Sequence, residues 1–425
     1  MSKYGEGDPE QPKLQNAKVD ETPLASLDLA REVVNMDAMP DGSHWFVVDK
    51  WGVVKTLIYD GRRSDREFNE IPAPTTQLSP NGDYLIWLGL DRHYTETGFD
   101  STIVYIYKNQ ALVASVLADY PVLEFSRTGK SWGVVLPYAN VMQNGDRDLV
   151  MVNGAVVSKN LGKPRDLSFD HNESHWMYRA TESREEFLVS PEEQLPYTGN
   201  LRQGEREKMR DSAVYRLTPD MHFHGLLLEG RDYDNGFQHV ANLHHTSFRP
   251  EARDTAHAYI TFNGKNQTPF RWIQNVLIDT AGNHIAYFAC DPKQETRGRE
   301  SDERKSVVVH DGVIIGGPFD AAGRIFLSPS GKHVLYSTGL DKGNVYLDKK
   351  LLDAVTQAQN CTWSPDEKRV VYSATGSHGK VFVVLNGKRS KDFERIGRIG
   401  WLPNGKGVEY VALLNGKLLH IRQYL

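Results

Sequence analysis

Cysteine is almost missing from this chain: Cys290 and Cys361 are the only two in 425 residues. Each lies beside a predicted strand, where buried thiols are commoner than a bridge, so disulfides are not what holds the fold. Long apolar runs are missing too, and none approaches the roughly eighteen residues that a membrane-crossing helix needs. Residues 1–22 are polar and lack the apolar centre of a secretion signal. A cytoplasmic location is expected on that ground, or a periplasmic one if Met1 is a processed start. Excess positive charge is also absent, with 50 Lys and Arg against 55 Asp and Glu, so there is no global basic field for nucleic acid.

What the chain does have is a repeat. Leu78-Ser-Pro-Asn-Gly82 recurs as Leu327-Ser-Pro-Ser-Gly331, Trp363-Ser-Pro-Asp-Glu367 and Trp401-Leu-Pro-Asn-Gly405, each followed by a short apolar run with an aromatic residue. Weaker copies are Met39-Pro-Asp-Gly42, Phe125-Ser-Arg-Thr-Gly129, Phe169-Asp-His-Asn172 and Asp279-Thr-Ala-Gly282. Proline presets the first turn position, and Gly, or Asn172, takes the positive φ that follows. Glu367 lacks that ease, so its turn is expected to differ in shape. A second signal, a two-residue hairpin turn, follows in most units: Asp60-Gly61, Lys108-Asn109, Asn153-Gly154, Asn263-Gly264, Asp311-Gly312, Asp348-Lys349 and Asn386-Gly387. One unit therefore reads as four antiparallel strands, the build of a propeller blade.

Spacing predicts the blade count. The anchors are regular neighbours except between Asn172 and Gly282, which lie 110 residues apart. Propellers close with about four to eight blades, so the expected fold is an all-β, eight-bladed β-propeller with residues 181–255 inserted in blade 4. A seven-bladed ring with an atypical terminal unit is the alternative. The domain plan is a flexible tail over residues 1–25 and one propeller over 26–425. The last unit runs out at Leu425 without a fourth strand, so Leu27–Val34 is predicted to pair onto it and close the ring.

These units resemble the TolB-type, WD-repeat-like propeller repeats of bacteria, on the strength of Leu327–Tyr336 with Asn344–Leu352, Trp363–Tyr372 with Val381–Lys388, and Val307–Phe319. The resemblance spans most of Met36–Leu425 and implies a fold rather than an activity. TolB itself is exported and carries an extra amino-terminal domain, neither of which is visible here.

Candidate functional residues concentrate in the predicted insertion. His222 and His224 form a His-x-His pair, and His244 and His245 follow, a set that a divalent metal could use. Charged and aromatic residues there, Arg206, Lys208, Arg210 and Tyr215, are candidate contacts. So are Arg92 and Tyr94 in the loop expected at Asp91–Asp100, and Arg297 and Arg299 in Asp291–Lys305, all predicted on one rim. Trp87, Trp132, Trp176, Tyr287, Tyr336, Tyr372 and Tyr410 share a second-strand position and are expected between blades. Trp45 and Trp51 are expected near the ring closure and exposed. The favoured function is a noncatalytic scaffold that docks another protein or a second copy of itself, without a cofactor. The alternative is a metal-dependent hydrolase or lyase built on the insertion histidines.

Overall fold

Two kinds of tight turn, both demanding a residue that tolerates positive φ, cut this chain into short antiparallel strands. The computed structural model describes residues 18–425 except 138–147, 198–240, 246–257, 291–304 and shorter stretches of up to four residues. Among the described residues there are 35 strands, and the 3-10 turn Ala73–Thr75 leads into the second sheet. None of them forms a helix able to cross a membrane.

Strand order defines nine antiparallel sheets. The first strand, Val19–Ser26 (β1), belongs to the last of them. The first sheet is Glu32–Ala38 (β2), Trp45–Trp51 (β3), Val54–Tyr59 (β4) and Arg62–Arg63 (β5). The second is Thr76–Leu78 (β6), Leu85–Thr95 (β7), Gly98–Lys108 (β8) and Ala111–Leu117 (β9). The third is Val122–Phe125 (β10), Trp132–Leu136 (β11), Leu149–Val152 (β12) and Ala155–Val156 (β13). Gly162–Phe169 (β14), Trp176–Glu182 (β15), Glu185–Val189 (β16) and Gln194–Tyr197 (β17) make the fourth. The fifth has three strands, Ala241–His245 (β18), Ala258–Phe262 (β19) and Lys265–Asn266 (β20). The sixth is Ile273–Ile278 (β21), Ile285–Cys290 (β22), Ser306–His310 (β23) and Val313–Phe319 (β24). Ala322–Leu327 (β25), Val334–Thr338 (β26), Val345–Leu347 (β27) and Lys350–Asp353 (β28) form the seventh. Ala358–Trp363 (β29), Val370–Thr375 (β30), Val381–Leu385 (β31) and Lys388–Arg389 (β32) form the eighth. Arg395–Trp401 (β33), Gly407–Leu414 (β34) and Lys417–Tyr424 (β35) complete the ninth together with β1. Apart from the β1–β35 pair, strands pair with their neighbours in sequence, the order of a propeller blade.

Nine sheets among the described residues stand where eight blades were expected. Glu185–Val189 and Gln194–Tyr197, read from sequence as the start of an insertion, are the third and fourth strands of a complete sheet. Ala241–His245, read as its end, pairs with β19 in the next sheet. Residues 213–228 of the predicted insertion lie outside the described residues. The closing strand is also displaced: β1 covers Val19–Ser26, so the tail predicted to residue 25 contributes a strand, while Glu32–Val34 serve β2. Its register runs from Val19 opposite Gln423 to Ser26 opposite Lys417.

Turn chemistry holds almost everywhere. Asp60, Asn153, Asp311, Asp348, Asn386 and Asn415 all lie near φ 50, the left-handed conformation that Asn and Asp tolerate best. In the second sheet the turn is Asn109-Gln110, one residue later than expected, because β8 extends through Lys108 and Asn109 takes φ 55. In the fourth sheet Glu173 takes φ 59 at the first turn, and Asn172 lies outside the described residues. Glu367, expected to turn differently, adopts φ 53 and so has the same shape as its glycine counterparts.

The chain forms two compact units, one of β1, residues 38–43 and Phe319–Leu425, the other of Ala30–Asp37 with His44–Pro318. Within each, the core lies between consecutive sheets. Ile86, Leu88, Val104 and Ile106 of the second sheet meet Leu123, Trp132 and Val134 of the third. Leu335 and Val345 of the seventh meet Tyr372 and Phe382 of the eighth. The predicted second-strand aromatics Trp87, Trp132, Tyr287, Tyr336, Tyr372 and Tyr410 are buried; in the fourth sheet Tyr178 takes the buried place and Trp176 is partly buried. Trp45 is buried, against expectation, and Trp51 is exposed beneath the Arg31 guanidinium.

Candidate functional site

Most polar clusters of this fold fasten strands together, and separating them from the rest isolates what is left for function. In the first, sixth and seventh sheets the turn aspartate between the third and fourth strands reaches back to the start of the second. One carboxylate oxygen of Asp60, Asp311 or Asp348 accepts the backbone N–H of Trp45, Ile285 or Val334 at 2.9 Å. The other oxygen shares a hydrogen bond with Nδ1 of His44, His284 or His333 at 2.7, 2.7 and 2.9 Å. Asn109 and Asn153 make the same backbone contact to Leu85 and Trp132 with their amide oxygens. The left-handed φ places the short side chain over the neighbouring strand end, which is why only Asp and Asn serve there.

A second device joins first turns of successive sheets. The Glu173 carboxylate accepts the Ser126 and Thr128 hydroxyls at 2.8 Å and the backbone N–H groups of Thr128 and Lys130. Glu367 grips Ser330 through its N–H and its hydroxyl. A glutamate at positive φ thus offsets its strained backbone with charge-assisted hydrogen bonds. Burial opposes ionisation of Glu173, but the bonds from Thr128, Ser126 and Lys130 outweigh it and hold the carboxyl below its ordinary 4.5. The unfolded chain therefore binds that proton more readily, so the stabilisation is present above about 4.5 and is lost as pH falls through the folded value. Glu173→Gln is expected to cost about 1 kcal/mol at pH 7, given its partial exposure, and nothing at strongly acidic pH. Urea unfolding of the variant and the parent at both pH values checks this.

The first sheet carries one buried charge. Asp49 is 4% exposed; Arg63 binds it with both terminal nitrogens at 2.7 and 2.9 Å. Thr56 donates to it, and Arg31 stands 3.5 Å away. In the sixth sheet a second imidazole joins the fastening: His310 Nε2 lies 3.7 Å from the Asp311 carboxylate, and donor atoms of His284, His310 and Asp311 gather within 4.8 Å of one another. Cys361 sits at the edge of the core of the seventh and eighth sheets, where burial pushes its thiol well up and keeps it protonated.

The sheet edges fall on the last strands. An outermost strand presents unpaired N–H and C=O groups, a hazard that proteins blunt by shortness, charge or proline. β5, β13 and β32, and β20 at the end of the three-stranded sheet, have two residues each. β1 is long but bears Asp20, Glu21 and Pro23, with a bulge between Pro23 and Ala25. β9 is blunted in none of these ways: seven residues, Ala-Leu-Val-Ala-Ser-Val-Leu, without charge or proline. Leu112, Val113 and Leu117 are exposed by 53%, 36% and 45%. β24 is equally long and exposes Val313 and Ile314, but contains Pro318.

Beside β9 the sheet carries an arm. The segment expected as a loop, Asp91–Asp100, is largely strand: β7 and β8 stay paired out to Thr95 opposite Gly98. β9 pairs with β8 only as far as Ile103 opposite Leu117, so the hairpin projects beyond its sheet. Tyr94 and Thr95 in this polar stretch suit a strand, a signal its charges obscure. Its base is clamped by ion pairs Arg66–Asp91 and Arg92–Glu70, and by backbone hydrogen bonds in both directions between Glu70 and Leu90.

Of the residues singled out from sequence, Arg92 is on that arm and exposed, and Tyr94 is on it opposite Phe99. Arg206, Lys208, Arg210, Tyr215, Arg297, Arg299, His222 and His224 lie outside the described residues. His244 and His245 are consecutive positions of β18, paired with Tyr259 and Ala258, and consecutive strand positions belong to opposite faces of a sheet. The His284, His310 and Asp311 group and the β9 edge were not anticipated. His310-Asp311 gave a signal only if the turn aspartate was read together with its neighbour.

No model of a protein family matches this chain, and no curated protein sequence does. Solved structures do show likeness. A structure described as the eukaryotic initiation factor aligns over 95% of this chain and 92% of its own at 10% identity, with TM-score 0.47. The Dos1 propeller aligns over 95% and 94% at 11% identity, with TM-score 0.37. The C-terminal WD40 domain of Sif2 aligns over 95% and 98% at 8% identity, with TM-score 0.38.

Proposed function

We propose that the nine sheets close into one propeller ring fastened by β1, and that this ring is a noncatalytic scaffold binding another protein or a second copy of itself. The observation that carries the reading is the open edge of β9. Backbone groups without a partner among the described residues, flanked by exposed Leu112, Val113 and Leu117, are a template for an added strand, with the backbone supplying affinity and the apolar side chains supplying selectivity. The β7–β8 arm with Arg92 and Tyr94 stands beside that edge and would embrace an incoming segment. The Ser-Pro-x-Gly and Asn-Gly turns support kinship with TolB-type repeats.

A photoreactive residue at Val113 is expected to cross-link to one discrete protein or to a second copy, whereas the same residue at Arg62, on the short β5, gives no product. Leu112→Lys with Leu117→Lys should abolish the cross-link with a stability change within about 0.5 kcal/mol, because both sites are exposed. Equal labelling at both positions, or none at either, would rule the edge out.

A further inference from the structure

The sixth sheet departs from its siblings by one residue. His44–Asp60, His284–Asp311 and His333–Asp348 are the same fastening, and the residue preceding the aspartate is Tyr59 in the first sheet and Leu347 in the seventh. In the sixth it is His310. Fastening does not call for a second imidazole, since Leu347 stands there without weakening the 2.9 Å bond between His333 and Asp348. We infer that His284, His310 and Asp311 form a binding site for a divalent transition metal, zinc first among them.

Geometry supports this. Two ligands of a tetrahedral zinc at about 2.1 Å stand roughly 3.4 Å apart. His310 Nε2 and the Asp311 oxygen are 3.7 Å apart, too far for a hydrogen bond and close to that spacing. His284 Nδ1 and the same carboxylate are 2.7 Å apart, so metal entry replaces their shared proton and widens the pair by a small rotation of exposed side chains. The side chain of His310 is 15% exposed and those of His284 and Asp311 are 32% and 40% exposed, leaving a path for the ion and a fourth position for water. Two imidazoles with one carboxylate favour zinc or iron(II) over the oxygen-seeking magnesium and calcium. The ligands are the residue before β22, the last residue of β23 and the first residue of the turn that follows it, so the ion would brace the root of the exposed β24 edge.

Zinc binding to the full-length chain, followed by calorimetry, provides the test, with His222, His224, His244 and His245 all changed to Ala so that the other histidine group does not contribute. One ion per chain is expected, with affinity falling roughly tenfold or more in His310→Leu, which copies the seventh sheet, and in His284→Gln. His333→Gln, which breaks a fastening without a second imidazole, should leave the affinity unchanged. Circular dichroism and unfolding curves confirm that each variant is folded. Zinc binding that survives His310→Leu, that disappears with the four alanines, or that is weakened equally by His333→Gln would overturn the site.

Discussion

Deleting residues 1–26 is expected to cost several kcal/mol of stability and to turn a single species into a self-associating one. β1 is the fourth strand of a sheet whose other three strands come from the far end of the chain, and it pairs with β35 along nearly its whole length. At about 1 kcal/mol net per ladder hydrogen bond, its loss consumes a large share of the roughly 5–15 kcal/mol that holds a folded protein together. What it uncovers is worse than what it removes. β35 carries Leu418, Leu419 and Ile421, all buried, and without β1 the strand becomes a long apolar edge open to another chain. Sedimentation velocity and urea unfolding of the deletion variant measure both effects. A synthetic peptide of residues 18–27 added in trans should restore the monodisperse species, and a deletion variant as stable and as monomeric as the parent would mean that β1 contributes nothing.

Asp49→Asn is expected to cost about 2–3 kcal/mol. The substitution keeps the shape but removes the buried negative charge that faces Arg63 and Arg31, and breaking a buried pair by removing one partner runs to about 3–5 kcal/mol. That range is reduced here because the side chain of Arg63 is 38% exposed and can turn toward water. Burial opposes ionisation of Asp49, but the hydrogen bonds from Arg63 and Thr56 and the charges of Arg63 and Arg31 prevail, holding the carboxyl below its ordinary 3.8. With a folded value below the unfolded one, the contribution is complete above about 3.8 and disappears as pH falls through the folded value. The variant should therefore lose stability at neutral pH while showing a shallower acid limb than the parent. Arg63→Met combined with Asp49→Asn should add little further cost, a coupling that a double-mutant cycle reads directly.

Much of the architecture was legible because the turns obey local chemistry. A residue at positive φ between two strands must be Gly, Asn or Asp in nearly every case, and those residues announced the repeat. The exceptions, Glu173 and Glu367, were illegible for a definite reason: their strain is balanced by serines and a threonine of the preceding sheet, a partner some 40 residues away. Glu185–Val189 and Gln194–Tyr197 were missed because paired glutamates and Pro196 mask the strand pattern at an outer edge. Val19–Ser26 was missed for the same reason, since a blunted edge strand is polar by design. The open edge of β9 could not be seen from sequence, because Ala111–Leu117 reads as an ordinary apolar strand until its place in the sheet is known.

The pairing of β1 with β35 also sets a schedule for synthesis. Residues 27–416 must leave the ribosome before the partner of Val19–Ser26 exists, a delay of roughly 20 to 80 seconds at about 5–20 residues per second. Throughout that interval Val19–Ser26 waits without its partner while eight other sheets can assemble from contiguous sequence. A strand of valine and isoleucine would find wrong company in that time; one bearing Asp20, Glu21, Thr22 and Pro23 can stay solvated until residues 417–423 are made.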